Sequence, residues 1–173
     1  MEVAEFRALI LDRRLQVMFD YWQAIRLDRV MPDWADIRAE EIAPALPFAW
    51  AWRVDENGDL RLRLAGESIV EVLEFNIRGK TPFDLYSPEA ARQIETRFRN
   101  VIDRPACSFS IGPVQHDGKS IGLGQRLVLP YSDRKTGKGG VLGASTLERH
   151  DRGSDGGSTL YELTGEEFFL ALA

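Results

Sequence analysis

The clearest change of periodicity along the chain lies within residues 60–86. Leucine and arginine alternate from Leu60 to Leu64, which is typical of a strand with one buried face. After Gly66 the apolar residues recur at helical spacing, and a glycine turn precedes a further helical turn. The stretch therefore predicts a strand that leads into short helices lying across a sheet, an arrangement that forms a pocket.

The rest of the chain predicts an antiparallel sheet and one long helix. Asn57-Gly58 and Asp117-Gly118 separate apolar runs, and such pairs are strong hairpin signals. Ser87 can cap a helix that starts at Pro88 and ends near Asp103. The predicted strands are Phe48–Val54, Leu60–Ala65, Cys107–Val114, Ile121–Tyr131 and Val141–Leu147. The prediction is an α+β fold with roughly five strands, short helices and one long helix on one face, and an N-terminal helix.

The N-terminal segment predicts a single helix from Glu2 to Leu27. Its apolar surface is wider than that of a solvent-exposed helix. One interpretation is that this helix folds over its own domain and completes the core. The other is that it pairs with the same helix of a second copy and forms a homodimer. The stripe that either contact would use is Leu11, Leu15, Met18, Trp22 and Ile25.

These patterns divide the chain into four segments. Residues 1–30 form the N-terminal helix, which caps or dimerises, and residues 31–47 form a connector broken by prolines. Residues 48–149 form the main domain, and residues 150–173 a linker and short C-terminal segment. Thr164 to Glu167 fits a capping box, so the tail is expected to form a short docked helix.

Composition narrows the class of protein. The chain has 173 residues, 44% of them hydrophobic, which suffices for a packed core. Its net charge of −5, with acids and bases mixed, argues against nucleic acid or an anionic membrane as a partner. No apolar stretch approaches the ~20 residues of a membrane span, and the single Cys107 cannot form an internal disulfide. We expect a cytoplasmic protein.

The order of elements, together with a set of residues, resembles the PAS domain, and more closely a stand-alone PAS-like family widespread in alphaproteobacteria. The resemblance is carried by Tyr21-Trp22 with Arg26, by Pro32, by the run Leu62-Arg63-Leu64-Ala65-Gly66, by Gly79, by the helix after Pro88 and by Leu127-Val128-Leu129-Pro130. It implies a signalling module, often dimeric, with a pocket that holds a small molecule in some members. Its output would then reach an unidentified signalling protein through protein contacts.

PAS-like domains carry haem, flavin or metabolites, and the residues of this chain disfavour the first two. Haem requires an axial ligand, and His116 and His150 lie in a turn and at the linker rather than on the long helix. Cys107 starts a strand instead of lying in the short helical motif of photoreactive flavin domains, so we expect a small buried hydrophobe. Two distant histidines and one cysteine make no zinc site. The cofactor, if there is one, stays unknown.

The candidate ligand pocket consists mainly of apolar residues, and the alternative is that they fill a solid core. Arg63 and Arg126 stand mid-strand, and an arginine that points inward needs a carboxylate from the protein or from a ligand. The alternative for both is that they point outward. The candidate pocket residues are Leu64, Ile69, Leu73, Phe75, Phe83, Ile94, Phe98, Phe109, Arg126 and Leu127.

Trp50 and Trp52 share one face of the first strand, and we expect them to pack beneath the N-terminal helix and belong to its cap or dimer interface. The alternative is that they stack directly on a ligand. An acid–base enzyme is a rival class. Its nearby candidates, Asp84, Glu71, Glu74 and Tyr86, fall on polar faces or turns, so a non-enzyme is expected. A ligand-free docking module is the second alternative.

Overall fold

The computed structural model describes residues 1–73, 77–116, 119–149, 162–163 and 165–172. Its helices are α1 (Val3–Leu9), α2 (Arg13–Arg26), α3 (Glu67–Leu73), α4 (Pro82–Leu85) and α5 (Pro88–Asp103), with 3-10 turns at Trp34–Asp36, Ala39–Ile42 and Leu46–Phe48. Its strands are β1 (Ala49–Val54), β2 (Leu60–Ala65), β3 (Ala106–His116), β4 (Lys119–Asp133), β5 (Lys138–Arg149), β6 (Glu162–Leu163) and β7 (Glu166–Ala171).

The described strands form one antiparallel sheet in the order β2-β1-β5-β4-β3, with β6 and β7 both paired to the outer edge of β3. The α+β class and the long helix are therefore confirmed, whereas the described sheet has seven strands rather than roughly five, because β6 and β7 extend it beyond β3. The hairpin turn at Asn57-Gly58 is also confirmed, since Gly58 has a φ of +89° in the turn between β1 and β2. The turn predicted at Asp117-Gly118 lies outside the described residues.

The two faces of the sheet bury different clusters. The outer cluster joins one face to α1, α2 and the connector, and its largest members include Phe6, Trp22, Phe109, Leu127 and Tyr131. The inner cluster joins the other face to α5, and its buried members are Trp50, Trp52, Leu60, Leu62, Ile77, Phe98, Val101, Val128 and Val141. Helices thus cover both faces of the sheet, and the name helix-covered face is used for the one beneath α5.

The prediction of one N-terminal helix from Glu2 to Leu27 is wrong, because α1 and α2 are separate. The side chain of Asp12 caps α2 by accepting a hydrogen bond from the Arg14 N–H at 2.8 Å. Gln125 on β4 accepts hydrogen bonds from the N–H groups of Leu11 and Asp12, both at 3.0 Å. A polar side chain from the sheet thus replaces the intrahelical bonds at the break.

The prediction of a C-terminal helix is also wrong. The tail forms β7, which pairs with β3 from Ala106↔Ala171 to Ile111↔Glu166. Phe168 and Leu170 join the outer cluster, with the intervening residues on the opposite face, so the period is two rather than 3.6. An open strand edge on β3 supplies backbone partners that a docked helix could not use. Thr164 of the expected capping box and the Gly-Ser linker around Gly153 lie outside the described residues.

A β-bulge on β2 changes the alternation on which the first prediction rests. Trp52 pairs with Leu62 and Ala51 pairs with Leu64, so Arg63 is an extra residue without a cross-strand partner. Leu60 and Leu62 face the inner cluster, whereas Leu64 packs on the outer cluster. The bulge therefore moves Leu64 to the other side of the sheet.

Candidate functional site

A row of polar residues crosses four strands on the helix-covered face. Glu167 on β7 pairs with Ser110 on β3, Ser110 pairs with Arg126 on β4, and Arg126 pairs with Ser145 on β5. The residues beside them in sequence, such as Phe109, Leu127 and Ala144, turn into the outer cluster. Because side chains alternate along a strand, the polar row points toward α5. We call these four residues the polar row.

Arg126 is the central member of the polar row. Its side chain is half-buried, and its Nε donates to Ser145 Oγ at 3.4 Å. Ser145 Oγ also accepts a hydrogen bond from Trp50 Nε1 at 3.0 Å. Burial lowers the pKa of the Arg126 guanidinium, and the neighbouring charge of Arg97 lowers this pKa further. Among the side chains that the structure describes, no carboxylate forms an ion pair with Arg126.

Tyr86, which follows α4, lies close enough to Arg126 for the two to interact electrostatically. Burial raises the pKa of its phenol, and the positive charge of Arg126 opposes that rise. The hydroxyl is therefore neutral at physiological pH and can donate a hydrogen bond. Tyr86 is also partly buried against the inner cluster, on the same face of the sheet as Arg126.

Glu167 closes the β7 end of the polar row. Its Oε1 lies 3.1 Å from Arg97 Nε on α5 and accepts a hydrogen bond from Ser108 Oγ at 2.8 Å. Glu167 and Arg97 also line an open groove of about 410 Å³ between α5 and β7, together with Arg92, Gln93, Thr96, Asn100 and Phe169. That volume lies within the range of small-molecule sites. The groove leads to the outer end of the polar row.

Apolar side chains beneath α5 form the rest of the candidate site. Trp50 stacks on Phe98 of α5 with ring centres 5.1 Å apart and an interplanar angle of 25°. Ile69 on α3 and Ile94 on α5 are partly buried against the same cluster. The indole N–H of Trp50 points to Ser145, so one side chain links the apolar and polar parts of the site.

The structure brings together four of the ten predicted pocket residues: Ile69, Ile94, Phe98 and Arg126. Leu64, Phe109 and Leu127 lie on the other face of the sheet, in or against the outer cluster, so their placement in the pocket is wrong. Phe83 has 50% of its surface exposed. The side chain of Leu73 and the whole of Phe75 fall outside the described part of the chain.

The expectation that Trp50 and Trp52 pack beneath the N-terminal helix is wrong. Both belong to the inner cluster, and both lie against Phe98, with ring centres 5.1 and 6.1 Å away. Leu15, Met18 and Trp22 of the predicted stripe are fully buried in the outer cluster of their own domain. Ile25 is half-buried, and Leu11 is 63% exposed. The N-terminal helices thus cap the domain that carries them.

Arg63 lies on the outer side of the sheet. Its Nη1 donates to Asp133 Oδ2 at 2.8 Å, and its guanidinium stacks 4.0 Å from the ring centre of Trp34. Cys107 is fully buried in the outer cluster, which confirms the small buried hydrophobe. Asp84, a candidate acid, accepts hydrogen bonds from the Thr81 N–H and Oγ and so caps α4.

Sequence reasoning missed Ser110, Ser145 and Glu167, and it named Tyr86 only as an acid–base candidate on a polar face or turn. A signal for the serines was present, because Ser108 and Ser110 alternate with Cys107 and Phe109 on a strand, and small hydroxyls on the face opposite an apolar run indicate a polar floor. Glu167 could not be placed while the tail was read as a helix. Among the described residues there is no group of three or more metal-ligating side chains, and no helix is long and apolar enough to cross a membrane.

The antiparallel sheet with the strand order β2-β1-β5-β4-β3, covered by α5 on one face and by α1 and α2 on the other, defines a small α+β domain. The family model described as the PAS domain matches residues 12–146, which is most of the chain. The chain therefore belongs to the PAS domain family, as the resemblance predicted. The family is in general sensory and regulatory rather than catalytic.

Solved structures show similarity at low sequence identity. The PAS domain of Bordetella pertussis BvgS is 18% identical, with a TM-score of 0.44, and the match covers 61% of this chain and 79% of that one. VqmA bound to DPO is 19% identical, with a TM-score of 0.42, and the match covers 65% of this chain and 58% of that one. A Vibrio cholerae VqmA dimer has a TM-score of 0.42 at 19% identity, with 66% and 54% covered. No curated protein matches this chain.

Proposed function

We propose that this PAS domain is a sensory module that binds a small molecule over the polar row and passes the signal to another protein by direct contact. The observation that carries the proposal is Arg126, a half-buried arginine on the helix-covered face that has serine and tyrosine neighbours. A guanidinium taken out of water loses hydration, and hydrogen bonds or a negative charge must offset that loss. A bound ligand supplies them.

The surroundings of Arg126 support a binding site better than a structural ion pair. Two other half-buried arginines on strands have a near carboxylate, as Arg63 has in Asp133 at 2.8 Å and Arg61 has in Asp55. Arg126 instead lies between two serines that are too small to shield it. An open groove of about 410 Å³ lies beside Glu167, at the β7 end of the same polar row.

The proposal includes a cytoplasmic location, a homodimer and an unidentified signalling partner. The buried stripe on α2 cannot form the dimer interface without unfolding its own core, since Leu15, Met18 and Trp22 are fully buried. Self-association would instead use the exposed apolar residues of the N-terminal layer, Val3 and Leu11, which are 41% and 63% exposed.

A wash-out experiment tests the ligand. The protein is unfolded in guanidinium chloride, freed of small molecules by gel filtration, and refolded. We expect the refolded protein to melt at a lower temperature than the purified one, because a ligand that binds only the folded state raises its stability. The small-molecule filtrate from wild-type protein should restore the melting temperature, whereas filtrate from an Arg126→Gln preparation should not. Equal melting temperatures with and without filtrate would contradict a retained ligand.

A ligand-free docking module is a second candidate, and the stack of Trp50 on Phe98 favours it. These rings are 6% and 5% exposed and fill part of the space beneath α5. If the inner cluster has no room for a ligand, a partner protein would bind to the sheet edges or to the N-terminal layer. The wash-out experiment separates the two candidates, since a docking module has the same stability before and after it.

A further inference from the structure

We infer that the ligand of this site is a small carboxylic acid with an apolar body, whose carboxylate is bound by Arg126 and whose body packs on Trp50 and Phe98. This inference rests on the proposed function and names the chemical class of the ligand. It follows from four observations about the described residues around the polar row: the supply of donors, the charge, the apolar surroundings and the adjoining groove.

The first observation is that hydrogen-bond donors dominate around Arg126. Ser145 Oγ accepts from both Trp50 Nε1 and Arg126 Nε, so both of its lone pairs are used and its O–H is left to donate. Ser110 lies directly across from Arg126 on the other neighbouring strand, is 7% exposed, and carries a second O–H. With Tyr86 and the guanidinium Nη groups, the site offers donors and needs an acceptor-rich partner.

The second observation is the charge of the site. Arg97 and Glu167 neutralise each other at a separation of 3.1 Å, and Glu167 is further occupied by Ser108. Arg126 then provides one positive charge that no described carboxylate pairs with. One such charge matches a monoanion such as a carboxylate, whereas a phosphate group carries about two charges at neutral pH.

The third observation is the apolar half of the site. Trp50 and Phe98 form a stack, and Ile94 of α5 lies partly buried against the same cluster. An aromatic or branched aliphatic acid can place its carboxylate at Arg126 and its body against the rings.

The fourth observation is the position of the Arg97–Glu167 pair. Both residues line the groove of about 410 Å³ between α5 and β7, and the charges of both act on Arg126. The pair therefore lies at the groove and within electrostatic range of the arginine. A carboxylate in the groove would be attracted toward Arg126, whose charge no described carboxylate neutralises.

The experiment compares an acid with its neutral isostere by NMR. Benzoate and benzamide have nearly the same shape and differ in charge, and inorganic phosphate tests the alternative anion. The probes are added at millimolar concentration to ¹⁵N-labelled full-length protein, with the Trp50 Nε1–H and Arg126 Nε–H signals as readouts. The Trp50 signal is identified by its loss in Trp50→Phe. We expect saturable shifts with benzoate, and much smaller ones with benzamide and phosphate.

Two variants place the carboxylate at Arg126. Arg126→Gln should weaken benzoate binding about tenfold or more, because about 1.4 kcal/mol is a factor of ten and a charged hydrogen-bond pair contributes at least that much. Arg63→Gln is the matched control, since that arginine also stands mid-strand but faces the outer side, and it should leave binding unchanged. Ser145→Ala removes one donor without altering charge and should weaken binding less than Arg126→Gln.

Each contrary result has a distinct meaning. Equal shifts with benzamide and benzoate would overturn the carboxylic acid and leave the small-molecule pocket standing. Tighter binding of phosphate than of benzoate would overturn the carboxylate in favour of another anion. Unchanged benzoate binding in Arg126→Gln, with a folded spectrum, would overturn the role of Arg126. No shift with any probe would overturn the inference together with the pocket, and would favour the docking module.

Discussion

At the scale of single residues, Arg63 and Arg126 occupy similar mid-strand positions but have different roles. Arg63 is the extra residue of a bulge, and it is paired with Asp133 and stacked on Trp34. Arg126 lies in a regular ladder between Ser110 and Ser145. Arg63 therefore stabilises the outer layer through an ion pair, whereas Arg126 places its positive charge on the helix-covered face.

Gln125, the neighbour of Arg126 in sequence, gives a prediction at the residue scale. Its Oε1 accepts the backbone N–H groups of both Leu11 and Asp12 at the break between the N-terminal helices. Gln125→Ala leaves these donors without their partner and should lower the free energy of unfolding by about 1–3 kcal/mol. Urea unfolding measures this loss, and Gln93→Ala, an exposed glutamine on α5, is the control. Equal stability of the two variants would show that Gln125 does not hold the break.

The residue scale also shows what the sequence could and could not predict. Arg126 and Leu127 are adjacent on a strand, so they had to face opposite sides, and their joint assignment to one pocket was avoidable. The wrong assignment of Leu64 to the pocket could not be avoided, because a run of alternating leucine and arginine contains no signal for a bulge at Arg63. Strand alternation correctly placed Trp50 and Trp52 on one face of the sheet. It does not show whether α5 or the N-terminal helices cover that face.

At the scale of elements, the C-terminal strand is a structural part of the domain. β7 pairs along β3 and contributes Leu170 to the outer cluster and Glu167 to the polar row. Its alternation of Phe168 and Leu170 with Glu167 and Phe169 is visible in the sequence. The apparent capping box before it favoured a helix, and the open edge of β3 that decides for a strand is a long-range feature that a local pattern does not contain.

Two residues of this strand form a matched pair for a test. Leu170 is 3% exposed and Phe169 is 49% exposed, and they lie on opposite faces. Leu170→Ala should cost about 2–5 kcal/mol of unfolding free energy because it leaves a cavity in the outer cluster. Phe169→Ala should cost less than Leu170→Ala, although it removes the larger side chain. Chemical unfolding of both variants gives the comparison, and a larger cost for Phe169→Ala would contradict the docking of β7.

The connector gives a pH-dependent prediction. Burial alone would raise the pKa of Asp33, but hydrogen bonds from the Ala35 and Arg134 N–H groups and the charge of Arg134 bring this pKa below its ordinary value. A lowered folded-state pKa contributes stability above the unfolded-state pKa, ~3.9, which is lost as the pH falls through the folded-state value.

Asp33→Asn tests this linkage. The variant has no carboxylate to protonate at this position, so its unfolding free energy should fall less steeply than that of the wild type as the pH drops below about 4. The wild type and variant are compared by urea unfolding between neutral and acidic pH. Asp28→Asn, at an exposed position after α2, is the control. Parallel pH profiles for the wild type and Asp33→Asn would contradict the role of Asp33.

At the scale of the whole molecule, the sheet separates two functions. The outer face is closed by α1, α2 and the connector, which bury Trp22, Phe109 and Tyr131. The inner face carries the polar row and the aromatic stack beneath α5. The family and the succession of elements from β1 to β5 along the chain were predictable from the sequence because turns and periodicity are local. The face of the sheet on which each residue lies was not predictable, because it depends on the bulge in β2, the break between α1 and α2, and the C-terminal strand β7.

Purified protein should carry a small molecule at Arg126, and native mass spectrometry can detect it. We expect a native mass above that of the bare chain or its dimer, an excess that denaturation releases as a small acid, and the loss of this excess in Arg126→Gln but not in Arg63→Gln. A bare native mass for the wild type would contradict a retained ligand. An excess that persists unchanged in Arg126→Gln would contradict the site.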